Sequence, residues 1–132
     1  MWFKRNRPPP IRSLVCEGSI VNGELRFVDG LRIDGEVRGD VLAVSGSRSL
    51  LVISEKARVH GKVMAEHVII SGEVQGPIQC DGLLELQPTA RIVGNVGYGK
   101  LEMHHGASIN GELRSTKIAE RPTLKLAASN DK

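Results

Sequence analysis

The sequence predicts an all-β fold: a right-handed parallel β-helix, or solenoid, of about six coils, with three short strands per coil and disordered tails at both ends. Three observations lead there. A pentapeptide of the pattern aliphatic, polar, glycine, polar, aliphatic recurs along the chain. Its copies are Val37-Arg38-Gly39-Asp40-Val41, Val59-His60-Gly61-Lys62-Val63, Val74-Gln75-Gly76-Pro77-Ile78, Ile92-Val93-Gly94-Asn95-Val96 and Ile109-Asn110-Gly111-Glu112-Leu113, with a looser one at Val21-Asn22-Gly23-Glu24-Leu25. The glycines Gly23, Gly39, Gly61, Gly76, Gly94 and Gly111 stand 16, 22, 15, 18 and 17 residues apart, and self-similarity at such a period marks a repeat architecture. Two further columns keep the period: Leu14, Leu31, Leu51, Val68, Leu84 and Leu101, and two residues later Cys16, Ile33, Ile53, Ile70, Leu86 and Met103. The residue between the two columns is often charged (Arg32, Glu85, Glu102), so the local period is two, that of a strand.

Taken in order, residues 1–13 are an arm. Met1-Trp2-Phe3-Lys4-Arg5-Asn6-Arg7 is aromatic and then basic, and Pro8-Pro9-Pro10 follows as a stiff spacer that cannot join a strand ladder. Residues 14–117 are the solenoid. Its coils take two lengths. In the short form Ile33 reaches Val37, and Ile70 reaches Val74, through a single glycine; the long form adds two residues and an alanine, Ala57, Ala90 or Ala107, at a tight inward corner. The run Ser45-Gly46-Ser47-Arg48-Ser49 supplies the extra length of the one 20-residue step and reads as a surface loop. Sub-unit steps of four or five residues, rather than strict hexapeptides, favour the right-handed helix over the left-handed one. Residues 118–132 form a polar tail, beginning near Glu120-Arg121-Pro122 where the alternation ends.

Composition fits this design. Aromatics make up 3% of 132 residues, too few for a ring-based core but enough where stacked Val, Ile and Leu fill a narrow interior. The net charge of +3 resides in the tails: residues 1–12 carry +4 and residues 118–132 carry +1, leaving −2 on the solenoid. A body without a basic face argues against a nucleic-acid partner. Two cysteines do not make a disulfide framework; Cys16 falls in an inward column and Cys80 reads as a small buried residue. No apolar run is long enough to span a membrane, and no secretory h-region follows the basic start.

Candidates for chemistry are few. His60, His67, His104 and His105 are the metal candidates, but His60 and His104 fall at different corners of the repeat and no acid–histidine pairing accompanies them. No carboxylate pair marks a cleft, and the glycines are spread along the coils rather than gathered into a phosphate-cradling loop. No cofactor, catalytic residue or metal ligand is therefore expected, and no nucleotide. The ends are the remaining feature. The first coil (Leu14, Cys16, Ile20) and the last (Leu101, Met103, Ile109, Leu113) are as apolar as the middle, and no amphipathic cap precedes or follows them. Uncapped solenoid ends are templates for another chain, so Leu14, Cys16, Ile20, Leu101, Met103 and Leu113 are the expected polymerisation contacts. A β-helical enzyme, a left-handed hexapeptide acyltransferase or zinc hydratase-like trimer, is the alternative.

The repeated units, the winding of about 17 residues and the six coils over residues 14–113 resemble the bactofilins, a family of polymer-forming bacterial cytoskeletal proteins. The resemblance implies a right-handed β-helix that polymerises without nucleotide into non-polar filaments in the cytoplasm. It also implies a short N-terminal membrane-targeting peptide, which Trp2, Phe3, Lys4, Arg5 and Arg7 would form, holding filaments on the inner face of the cytoplasmic membrane. The implied partners are other copies of the chain, an anionic membrane surface, and cell-wall enzymes or shape and segregation proteins. The phenylalanines here are only Phe3 and Phe27, so Leu101, Met103 or Leu113 would have to make a C-terminal end contact that an aromatic makes elsewhere in the family.

Overall fold

A computed structural model describes residues 9–45 and 48–116. The arm residues 1–8, Gly46 and Ser47 of the expected loop, and the expected tail at 118–132 lie outside them. All regular structure among the described residues is strand, and every strand pair is parallel. The chain winds as a β-solenoid of about six turns.

The first coil comprises β1 (Ile11–Val15), β2 (Ile20–Asn22) and β3 (Leu25–Phe27). The second has β4 (Asp29–Ile33), β5 (Glu36–Arg38) and β6 (Val41–Ala43), and the third β7 (Ser49–Ile53), β8 (Arg58–His60) and β9 (Val63–Ala65). The fourth begins with β10 (His67–Ile70) and β11 (Glu73–Gln75). Then β12 (Ile78–Leu86) runs through a corner, ending the fourth coil and starting the fifth. After β13 (Arg91–Val93), β14 (Val96–Met103) does the same for the fifth and sixth, which β15 (Ser108–Asn110) and β16 (Leu113–Ser115) complete. The second strands of the coils stack into a six-stranded sheet. The first and third strands make the other two faces, which β12 and β14 join into one ten-stranded sheet.

The interior is the set of columns that the alternation marks. Leu31, Leu51, Val68 and Leu84 stack in register, as do Ile33, Ile53, Ile70 and Leu86, all of them buried. Val37, Val59, Val74 and Ile92 line the second face, and Val41, Val63, Ile78 and Val96 the third, each fully or almost fully buried. A strand repeat of roughly 4.8 Å puts each aliphatic in contact with the one above and the one below. Full burial of such a side chain contributes about 1.5–3 kcal/mol relative to leaving it in water.

Glycine recurs where backbones of adjacent coils touch. A Cβ on Gly39, Gly61, Gly76, Gly94 or Gly111 would run into the carbonyl of the repeat glycine one coil earlier. The corner alanines behave as their spacing suggests: Ala57 and Ala90 are buried, and each closes a tight turn by donating its amide to the carbonyl three residues back (Ser54 and Gln87, both 2.9 Å). In the short coils Gly35 and Gly72 replace that turn, and a side chain on either would strike the carbonyls of the turn beneath.

The structure corrects the first coil. Leu14 lies opposite Arg32, and Val15, not Cys16, lies opposite Ile33. Val15 is buried, whereas Leu14 and Cys16 are exposed. The cause is local. Cys16-Glu17-Gly18-Ser19 forms the same corner as Ser54 to Ala57, its Ser19 amide donating to the Cys16 carbonyl at 3.0 Å, so the first coil takes the long form with Ser19 in the alanine place. Entry into the body differs too. Pro9 is buried, and a Cβ on the buried Gly30 would meet the Pro10 carbonyl and Ile11. The stiff spacer therefore does not extend to Pro10: the chain already lies on the second coil there, and the β1–β4 register shifts between Ile11 and Ser13. Ser49, expected in the loop, is instead buried at the start of β7, its hydroxyl accepting the Glu66 amide at 2.8 Å.

Candidate polymerisation ends

At the N-terminal end β1, β2 and β3 each have a ladder partner on one side only; at the C-terminal end so do β15, β16 and the second half of β14. Each presents a row of backbone donors and acceptors to whatever lies beyond. The interior columns run into these ends and are uncovered there. Met103 continues the column of Ile33, Ile53, Ile70 and Leu86 but is 45% exposed, and Leu113 continues that of Val41 and Val96 at 46%. Leu101 and Ile109 are half-buried against the core.

The two ends differ in what they expose. At the N-terminal end the inward side chains Val15 and Phe27 are buried. The exposed aliphatics there include Leu14, opposite Arg32 on the first face, Ile20, opposite Glu36 on the second, and Ile11 and Val28. Counting columns could not show this, because Leu14, Val15 and Cys16 are consecutive and all apolar. Phe27 sits opposite Ala43, and Tyr98 opposite Cys80, so the two described rings occupy the third face near opposite ends with small residues between them.

Charged side chains also stack along the flanks. On the second face Glu36, Arg58, Glu73 and Arg91 follow one another in register, alternating in sign. The Arg38 guanidinium holds the Glu36 carboxyl below the usual carboxylate range. On the first face a hydrogen bond from the Ser54 hydroxyl, together with one from Arg32 at 2.9 Å, lowers the Asp34 carboxyl. Cys80 is buried beside the Glu66 carbonyl, to which its thiol donates at 3.2 Å, and burial pushes the thiol up to about 12.

The histidines do not converge. His60 lies on the second face between Arg38 and Gln75, while His67 on the first has a buried Nε2 with no partner among the described residues. One juxtaposition escaped the sequence reading. The β12–β14 register stacks Glu85 on Glu102 and brings His104 to 3.5 Å from Glu85, so that single ligand atoms of the three lie within 4.8 Å of one another. Applying the 17-residue offset from Glu85 would have found it. Gln87 also binds Glu85, at 2.7 Å. A groove of about 430 Å³ on the third face is lined by residues from Lys62 to Arg114, Gly97 among them. Its lining (Met64, Gln79, Asn95, Glu112) contains no nucleophile paired with a base.

A parallel solenoid with open strand edges at both ends is a template for self-assembly. A family model described as bactofilin, polymer-forming cytoskeletal, matches residues 13–114. The chain belongs to the bactofilin family; it is a structural cytoskeletal protein and not an enzyme, which sets aside the acyltransferase and hydratase alternative. Among curated proteins it is 23% identical over 111 residues to bactofilin BacO of Myxococcus xanthus, covering 84% of this chain and 85% of that one. It is 27% identical over 118 residues to bactofilin BacP of the same organism, covering 85% of this chain but only 48% of BacP. No solved structure matches.

Proposed function

We propose that the chain polymerises end to end, without nucleotide, into filaments on the inner face of the cytoplasmic membrane, where they organise cell-wall, cell-shape or segregation machinery. The observation that carries the first part is the pair of open ends. Interior columns that are sealed in the middle coils emerge half-exposed at Met103 and Leu113, beside unpaired parallel strands. The end coil of another copy placed there can pair with those strands. Contacts that pair like ends through a two-fold axis give a filament without polarity.

The membrane part rests on the sequence of residues 1–7. Trp2 and Phe3 suit the interface, and Lys4, Arg5 and Arg7 each gain about 1 kcal/mol near anionic lipid. One such arm binds only marginally. A filament presents many, and avidity then rises by roughly 10²–10⁴. Attachment therefore depends on both the arm and assembly.

Leu113→Arg separates the two steps. The variant should keep the parent's circular dichroism and melting curve yet go no further by sedimentation than a dimer joined through its N-terminal ends, with no filaments in electron micrographs. On anionic liposomes the parent should float, while Leu113→Arg and a variant lacking residues 1–7 should not. A Leu113→Arg protein that still forms filaments moves the contact elsewhere, and a truncated protein that floats like the parent removes the arm from the account.

A further inference from the structure

Like the third face at Leu42 and Met64, the outer side of the first face carries apolar residues in its middle coils, but the first flanks them with opposite charges. Its central ladder reads, coil by coil, Leu14, Arg32, Val52, Ile69, Glu85 and Glu102, each in register with the next. A sheet face turned to water normally carries polar residues at such positions, as the Arg58 and Glu73 of the second face do. Here the middle two coils present Val52 and Ile69, half-buried between charged neighbours of opposite sign.

We infer that this face packs against the same face of a second copy lying antiparallel, and that it joins neighbouring filaments side by side. The order of charges selects the arrangement. Place a two-fold axis along the strands, between the third and fourth coils. Val52 then meets Ile69 of the second copy, and Arg32 meets Glu85 on both sides of that aliphatic centre, while Leu14 lies along the stem of Glu102. In a parallel arrangement Arg32 would face Arg32, Glu85 would face Glu85 and Glu102 would face Glu102, and like charges directly opposed are unfavourable. Both charged groups are held in place within the chain. Asp34 binds the Arg32 Nε at 2.9 Å and leaves the guanidinium half-exposed, and both contacts of Glu85, from Gln87 and His104, use Oε2.

Six strands at roughly 4.8 Å spacing and about 10–15 Å of strand length give a face of only a few hundred Å². A stable pair needs about 800 Å² per partner, so a single contact is weak, and it becomes persistent where a polymer repeats it. This inference rests on the filament reading above. A filament whose subunits alternate in direction offers an antiparallel neighbour at every step.

Charge exchange tests it. The parent, Arg32→Glu, Glu85→Arg and the double variant would be compared by electron microscopy and by low-speed sedimentation, which collects bundles but not single filaments. Each single reversal should release single filaments and weaken pairing by about tenfold or more, since it replaces two attractive pairs by two repulsive ones. The double variant, with the charges exchanged, should bundle again. The same four would be prepared in the Leu113→Arg background and examined by analytical ultracentrifugation at millimolar concentration, where weak association beyond the dimer joined through its N-terminal ends should follow the same order. Failure to polymerise would count against the end contacts alone, because the lateral readout does not need filaments. Folded single variants that bundle and associate laterally like the parent, a double variant that does not recover, or a Leu113→Arg protein with no association beyond its end-paired dimer would each overturn the lateral contact.

Discussion

Gly94→Ala probes the packing of adjacent coils more directly than any change to an aliphatic column. Gly94 has φ of +140°, and a Cβ there would stand 2.6 Å from the carbonyl oxygen of Gly76 and 2.8 Å from its carbon. Neither backbone can yield. The Gly76 amide donates to the Val93 carbonyl and the Gly94 amide to that of Asn110, both at 2.9 Å, so ladders on either side fix the strand. An alanine adds about 1–3 kcal/mol of backbone strain and about 1–3 kcal/mol of overpacking. The sum, about 2–6 kcal/mol, is a large part of the 5–15 kcal/mol typical of a domain. Gly97, three residues on, is the control. A Cβ there would meet only the amide end of Gln79, at 2.8 Å, and a flexible side chain can turn away. Urea unfolding in dilute solution, followed by circular dichroism, should show Gly94→Ala unfolding well before the parent and Gly97→Ala within about 0.5 kcal/mol of it, the usual range for a surface change. Equal costs at the two positions, or a Gly94→Ala protein as stable as the parent, would refute the backbone-contact argument.

Two further outcomes follow from titratable groups. Native protein treated with a thiol-alkylating reagent at about pH 8 should be labelled at the exposed Cys16 and spared at Cys80. That thiol, pushed up to about 12 by burial, is thiolate in only roughly one molecule in 10⁴; mass spectrometry after digestion checks this, and denaturation should expose both. The Asp34 carboxyl, lowered by Ser54 and Arg32, contributes stability that is present above its unfolded pKa and is lost as pH falls through its folded one. Ser54→Ala should therefore bring the titration of Asp34, followed by carboxyl NMR shifts, back toward the ordinary carboxylate range, and an unchanged titration would dismiss the Ser54 contact as its cause.

The period carried most of the fold because each coil repeats the same physical requirement: an aliphatic wherever two neighbours cover it, and glycine wherever two backbones touch. Leu31, Ile33 and their successors could be placed from spacing alone. The first coil could not. Three consecutive apolar residues, Leu14 to Cys16, satisfy either strand register, and the corner at Ser19 decides between them through a serine where other long coils have alanine. Pro9 and Pro10 were misplaced for a related reason. A proline run reads as a spacer unless one knows that Gly30 leaves room for it. The stacking of Glu85, Glu102 and His104 was hidden because neighbours across a ladder are about 17 residues apart in the chain, and only a fixed register brings them together.

The same register explains why the ends are the natural place for assembly. A middle-coil aliphatic such as Ile70 touches a neighbour on each side and is fully buried. Met103 and Leu113 occupy equivalent columns with a neighbour on one side, and retain nearly half their exposure. Covering both would regain about 1–3 kcal/mol of apolar burial, and the three open strands of that end would gain ladder hydrogen bonds as well. No new chemistry is needed, since the contact again combines aliphatic burial with strand pairing, antiparallel where like ends meet. On the proposed reading the filament extends the fold across a subunit boundary. An arginine at Leu113 is then tolerated by the monomer, whose last coil is open to water, and rejected by the polymer, which would have to bury it unpaired.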